Sequence, residues 1–295
     1  MKKNHRILIS TFLATFLVIF LVALTGYFFA KRISTEKTNS IYDKQIVGLT
    51  YSYFTENDKN ATYDLANSVY VSFNNDSYTY EIVKGGTYVL EGNLYGKIHI
   101  KTDDELVHLV LKGLKVKSAV GPALFVESAS KVIMSLDTGT INEFRDSTEY
   151  DGYKNSKACI YSNCDLSVNG SGVLYVYGDY KDGIRTKDTF KAYLSDIRIR
   201  CKQHGIMGND GVMLAVENIE IECEGNGIVS GSVRKNKGFV DIGTGKVRII
   251  AGKRGIVSTN GLSIYSCSCD IYGVQGNIQN DGNIYIEEGC LINGY

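Results

Sequence analysis

Tryptophan is absent from this chain and proline occurs once, at Pro122. Net charge is missing too: Lys+Arg and Asp+Glu each number 32. That balance excludes the basic footprint of a nucleic-acid-binding protein. No cysteine precedes Cys159, and the chain's seven are an odd number, which argues against a complete disulfide framework. Cys267-Ser268-Cys269 lacks zinc-finger spacing. His5, His99, His108 and His204 are scattered, and no nucleophile elbow or P-loop occurs. Disorder is excluded because 44% of residues are apolar and 22% charged. What is abundant is Gly (31) and Tyr (21), the composition of a turn-rich β protein.

Charge is also absent from Ile7 to Ala30, between Lys2, Lys3 and Arg6 on one side and Lys31 and Arg32 on the other. The run is long enough to cross a bilayer. It exceeds the core of an ordinary signal peptide, and Ala23-Leu24-Thr25 is a poor cleavage site. We expect a cytoplasmic tail over 1–6, a transmembrane signal anchor over 7–30 and a linker over 31–48, with the remainder outside the cell. A cleaved signal peptide is the rival reading. No cysteine lies near the end of the run, which removes a lipid anchor. Residues 49–79 read as an N-terminal cap and first strands, with Asn57 to Asn67 polar and turn-like, leading into or closing the first coil.

The rest is organised by a repeat. Gly-Ile steps occur at Gly183-Ile184, Gly205-Ile206, Gly227-Ile228 and Gly255-Ile256, at intervals of 22, 22 and 28 residues, with a looser step at Gly276-Asn277-Ile278. Alternating strands precede the second, third and fourth steps. Units this short cannot bury their own apolar face, so they stack. Their spacing is that of strands and glycine punctuation, which predicts one coil of a parallel β-helix per repeat. A shift of 22 sets Ile197 over Ile219, Ile199 over Ile221 and Cys201 over Cys223. It sets Arg198, Arg200 and Lys202 over Glu220, Glu222 and Glu224 on the outside. Cys201/Cys223 and Cys269/Cys290 are each expected one coil apart, close enough for a bridge, or as buried thiols in an apolar column. Arg145 to Ser156 breaks the pattern and reads as a loop thrown out from the tube, where function concentrates.

The run Ala158-Cys159-Ile160-Tyr161-Ser162-Asn163-Cys164-Asp165-Leu166-Ser167-Val168-Asn169-Gly170-Ser171-Gly172 resembles a family signature. So do Gly178-Asp179-Tyr180-Lys181-Asp182-Gly183-Ile184, Gly86-Thr87-Tyr88-Val89-Leu90-Glu91-Gly92 and the stretch Val107 to Leu114. These are similar to the bacterial carbohydrate-binding domain built as a right-handed single-stranded parallel β-helix, over roughly residues 80–295. The resemblance implies an extracellular, all-β domain of pectate-lyase shape that binds cellulose-type or pectic polysaccharide and calcium. The family's Asp before the Gly-Ile step is kept at Asp182 and replaced by His204, Asn226, Arg254 and Gln275.

Candidate sites follow. Asp165, Asp179, Asp182, Asp188 and Asp210 are the densest carboxylate cluster. Calcium takes six to eight oxygens, and the resemblance implies calcium at Asp182, Asp188 and Asp210. The alternative is that turn aspartates bond nearby backbone N–H groups. For sugar recognition Tyr180, Tyr153 and Tyr161 are the leading candidates among Tyr150, Tyr175, Tyr177 and Tyr193, since an outward Tyr offers a flat apolar face and a hydroxyl. Arg185 and Lys187 beside the same loop suit uronate carboxylates. The expected function is a monomeric, non-catalytic polysaccharide-binding domain. A pectate-type lyase is the competing class, using calcium and a Lys or Arg base. A structural cell-surface rod is the third.

Overall fold

A computed structural model describes residues 54–153 and 155–293. They form a three-faced parallel β-solenoid, and every strand pairing among them is parallel. The first face is a nine-stranded sheet running from Thr79–Ile82 to Gly276–Asn280. The second and third faces make one 15-stranded sheet. The long strands Leu106–Lys117, Gly211–Cys223 and Phe239–Ala251 turn the corner between them without a break. The expected transmembrane segment 7–30 and linker 31–48 lie outside the described residues. Among those described, no helix is long and apolar enough to cross a membrane.

The register follows the 22-residue shift. Ile197 pairs Ile219, Ile199 pairs Ile221 and Cys201 pairs Cys223. Outside, Arg200 meets Glu222 and Lys202 meets Glu224, each at 2.8 Å. Arg198 stands over Glu220 but turns to Asp196 at 3.2 Å. The inward column Ile98, Leu124, Ile160, Ile184, Ile206, Ile228 and Ile256 is fully buried. Each such side chain contributes about 1.5–3 kcal/mol of burial. All seven cysteines are free thiols, six of them buried. One expected register fails: Cys269 pairs Ile292, not Cys290. The last coil is longer than 21 residues, so the Cys269/Cys290 stack does not form.

The Gly-Ile step marks the corner from the third face to the first. A Cβ on Gly183, Gly205, Gly227 or Gly255 would lie 2.4, 2.4, 2.3 and 2.2 Å from the Cγ2 of Ile199, Ile221, Ile249 and Ile271. Glycine is demanded by space, because the isoleucine column of the third face fills the corner.

The described part of the N-terminal segment leads into the first coil, its turn Leu65–Asn67 running directly into the strand Ser68–Asp76. Its helical turn Glu56–Lys59 crosses the outside of the second face. There the buried Asp58 takes Lys131, Ser167 and Lys191 from three successive coils. Phe54 packs on Tyr193, ring centroids 5.5 Å apart. On that outward face Ser167 pairs Lys191, while Lys131 pairs Asp165, two residues before Ser167, so the segment is a strap laid across three coils.

Candidate functional site

The first face carries an outward column, one residue per coil: His99, Phe125, Tyr161, Arg185 and Met207. His99 stacks on Phe125 at 5.1 Å, and Phe125 meets Tyr161 at 6.0 Å. The loop between Ile141–Arg145 and Ala158–Ser162 folds back along this column. Its Tyr153 ring meets Phe125 edge-on at 5.5 Å, with Lys97 Nζ 3.8 Å from the ring centroid. Gly121 makes room, since a Cβ there would sit 2.6 Å from Tyr153 Cδ2.

A buried network holds the loop. Tyr150 Oη lies 2.6 Å from Asp146 Oδ2 and 2.9 Å from the Ala158 carbonyl. The Asp179 N–H donates to Asp146 Oδ1 at 2.6 Å. Burial pushes the Asp146 carboxyl up to about 7, against the pull of the bonds from Tyr150 and Asp179. A neutral Asp146 donates to Tyr150, which is then free to donate to Ala158. A raised folded-state pKa means the stabilisation is fully present below about pH 4 and lost as pH rises through about 7. Asp146→Asn keeps both bonds and is expected to flatten the thermal midpoint across that window, as read by scans at successive pH values.

The five candidate aspartates separate. Asp182 is fully buried, its Oδ2 accepting from Arg185 Nε at 2.7 Å and its Oδ1 from the His204 N–H at 3.0 Å. His204 Nδ1 accepts the Asn226 N–H at 3.2 Å, and Asn226 Oδ1 accepts the Arg254 N–H at 3.0 Å. The position before the Gly-Ile step is therefore a ladder in which each side chain caps the backbone one coil on. Burial lowers the His204 pKa despite Asp182, so the ring is neutral and its Nδ1 can accept. Asp, His and Asn are interchangeable here as acceptors. Asp179 pairs with Arg145 at 2.8 Å.

Asp165, Asp188 and Asp210 gather at the corner leading to the second face. Asp165 Oδ1 accepts the Thr189 N–H at 2.9 Å. Burial raises the Asp188 pKa, and Asp165 and Asp210 add to this. Burial also opposes charge on Asp210, but Lys237 and Arg234 outweigh it and hold its carboxyl low. Among the described residues, no three His, Cys, Asp or Glu side chains converge as ligands. With Asp182, Asp179 and Asp210 occupied by cations or backbone, the set does not fit calcium.

The tyrosines separate as well. Tyr161 is 3% exposed, and Tyr180 stacks on Tyr150 at 4.1 Å with Lys181 5.1 Å from its ring. Neither is an open sugar platform. Tyr193 lies under the strap, and Tyr175 and Tyr177 stand on the third face. What does come together is a groove of about 560 Å³ on the first face. Tyr161, Arg185 and Met207 form its floor, Lys187 and Asp188 its rim, and Asn155 and Arg234 its two walls. Arg234 belongs to the loop 231–238, pinned by Asn260 Nδ2, which lies 2.9, 3.1 and 2.6 Å from the carbonyls of Ser232, Arg234 and Lys237. Sequence reasoning missed Arg234, Asn155 and Met207. The 28-residue interval was the available signal for the second wall. Three cations and one carboxylate line the groove.

A parallel β-solenoid presenting a polar, cation-lined groove along one face is a scaffold for an elongated ligand. The chain belongs to the carbohydrate-binding domain family: the model for "Carbohydrate-binding domain-containing protein" matches residues 76–290. A relative of that description from Acetivibrio thermocellus is 30% identical over 218 residues, covering 72% of this chain and 76% of the relative. In fold the chain is similar to a solved structure described as a polysaccharide lyase-like protein from C. thermocellum, in a gadolinium derivative. The TM-score is 0.70 at 24% identity, over 77% of this chain and 98% of that one.

Proposed function

We propose that this protein is a membrane-anchored receptor that holds an acidic polysaccharide in the first-face groove without cleaving it. The observation that carries the reading is the placement of Arg185, Lys187 and Arg234 around one groove, in a chain of a carbohydrate-binding family. Guanidinium and ammonium groups so placed suit the carboxylates of a uronate chain. Asn155, Asn163 and Asn209 line the same groove as partners for hydroxyls. The uncharged run Ile7 to Ala30 supplies the anchor, with the solenoid outside the cell.

Non-catalytic binding is supported by how the charged groups are engaged. A lyase base must reach a substrate proton, whereas Arg185 is bonded to Asp182 and Arg234 to Asp210. Binding is expected to be independent of calcium. The test is titration of the full chain, in detergent micelles, with an oligogalacturonide. Lys187→Ala with Arg234→Ala is expected to weaken binding at least tenfold, and added salt to weaken it further. Ultraviolet-absorbing unsaturated product would favour the lyase, and absence of any binding would leave the structural rod.

A further inference from the structure

Two thiols on the far side of the tube from the groove stand together. Cys201 and Cys223 are in direct register on adjacent parallel strands. Their column continues as Gly178 on one side and as Ala251 and Gly273 on the other. Cα atoms so paired are about 4.8 Å apart, inside the range that a disulfide spans. With such small neighbours, the two cysteines border a depression of about 550 Å³ on the third face. They keep 6% and 7% of their surface exposed, whereas Cys159 keeps none. Lys202 and Glu224, paired with each other at 2.8 Å, stand at the rim.

We propose that Cys201 and Cys223 form a thiol–disulfide exchange site, open through this depression to small-molecule disulfides, whose oxidation staples two adjacent coils. Cys223 is the attacking sulfur. Its hydrogen bond with Cys201 holds its pKa below the usual thiol value against burial, assisted by the Gly205 and Gly225 N–H groups. The same bond, with burial, pushes Cys201 up, so Cys201 is the partner that stays protonated. The Cys223 thiolate attacks one sulfur of the small disulfide, whose S–S bond breaks. A mixed disulfide forms and one thiolate leaves. Cys201 then gives up its proton, its sulfur attacks Cys223 Sγ, and the second thiolate leaves. The two cysteines are oxidised to one disulfide, the small disulfide is reduced to two thiols, and the protons lost by the cysteines end on those thiols.

The test uses the full chain in micelles, first reduced and then freed of reductant, with oxidised glutathione as the probe. Remaining thiols are alkylated, and modified and cross-linked peptides are mapped by mass spectrometry. A Cys201–Cys223 cross-link is expected in the folded protein, with Cys159 alkylated only after unfolding. The oxidised protein is expected to melt at a higher temperature than the reduced one. Cys201→Ala is expected to trap glutathione on Cys223. Cys223→Ala is expected to take it up at Cys201 at least tenfold more slowly. Alanine already occupies this column at Ala251, so both variants keep the apolar corner, and the thermal midpoint of each reduced variant checks this. The proposal is overturned if no cross-link forms or if it forms only after unfolding. It is also overturned if Cys201 takes up glutathione as fast as Cys223. Cross-linking confined to Cys267 and Cys269, whose sulfurs lie 3.1 Å apart, would overturn it as well.

Discussion

Asp58→Ala is expected to destabilise the solenoid by about 3–5 kcal/mol, the cost of breaking a buried ion pair. Asp58 has no exposed side-chain surface, while Lys131 is 14% and Lys191 11% exposed. The carboxylate also accepts Ser167 Oγ and the Thr55 N–H. Asn169 Nδ2 donates to the Asp58 and Asn60 carbonyls, at 3.0 and 3.2 Å. Burial alone would push this carboxyl up, but Lys131, Ser167, Thr55 and Lys191 hold it well below the usual range. A depressed folded-state pKa contributes stability that is present above about pH 4 and lost as pH falls below it. Urea unfolding at pH 7 and at pH 3 checks both statements. The variant is expected to lose most of the wild type's acid sensitivity in this range. A variant as stable as wild type at pH 7 would mean that the strap is a passive cover.

The second large effect lies at the corners. Gly227→Ala is expected to cost about 3 kcal/mol, the upper end for overpacking. The new methyl would sit 2.3 Å from Ile249 Cγ2 and 2.5 Å from the Gly255 carbonyl oxygen. At the preceding corners the Gly205 and Gly227 carbonyls accept the Ile184 and Ile206 N–H groups at 3.0 and 2.9 Å, so the backbone of this corner has little freedom to move. A loss of this size lowers the thermal midpoint by about 6–12 °C in a domain this large. Gly231→Ala is the control: nothing lies within 4 Å of its Cβ position, and its midpoint is expected to stay near wild type. Equal midpoints for the two variants would refute the packing account of the Gly-Ile step.

Much of the fold was legible because a solenoid repeats itself. Arg200 over Glu222 and Ile199 over Ile221 need only a constant offset. The offset breaks where coil length changes, which is why Cys290 was placed against the wrong cysteine. The strap was not legible, because Asp58 meets Lys131, Ser167 and Lys191 across 73, 109 and 133 residues with no repeat to link them. Nor was the fate of Asp182. Spacing sets an aspartate at a corner but does not say whether it points inward, and this one is sealed by Arg185 and the His204 N–H. The groove was half legible. Arg185 and Lys187 follow from the Asp loop, whereas Arg234 enters from an insertion whose length is visible in the sequence and whose partner Asp210 is not.

The most direct test of carbohydrate binding on the first face is hydrogen exchange of the full chain with and without a saturating oligogalacturonide. Protection is expected at residues 155–163, 185–188, 207–209 and 232–238, unchanged by EDTA. Protection confined to other faces, protection that vanishes with EDTA, or none at all would contradict the account.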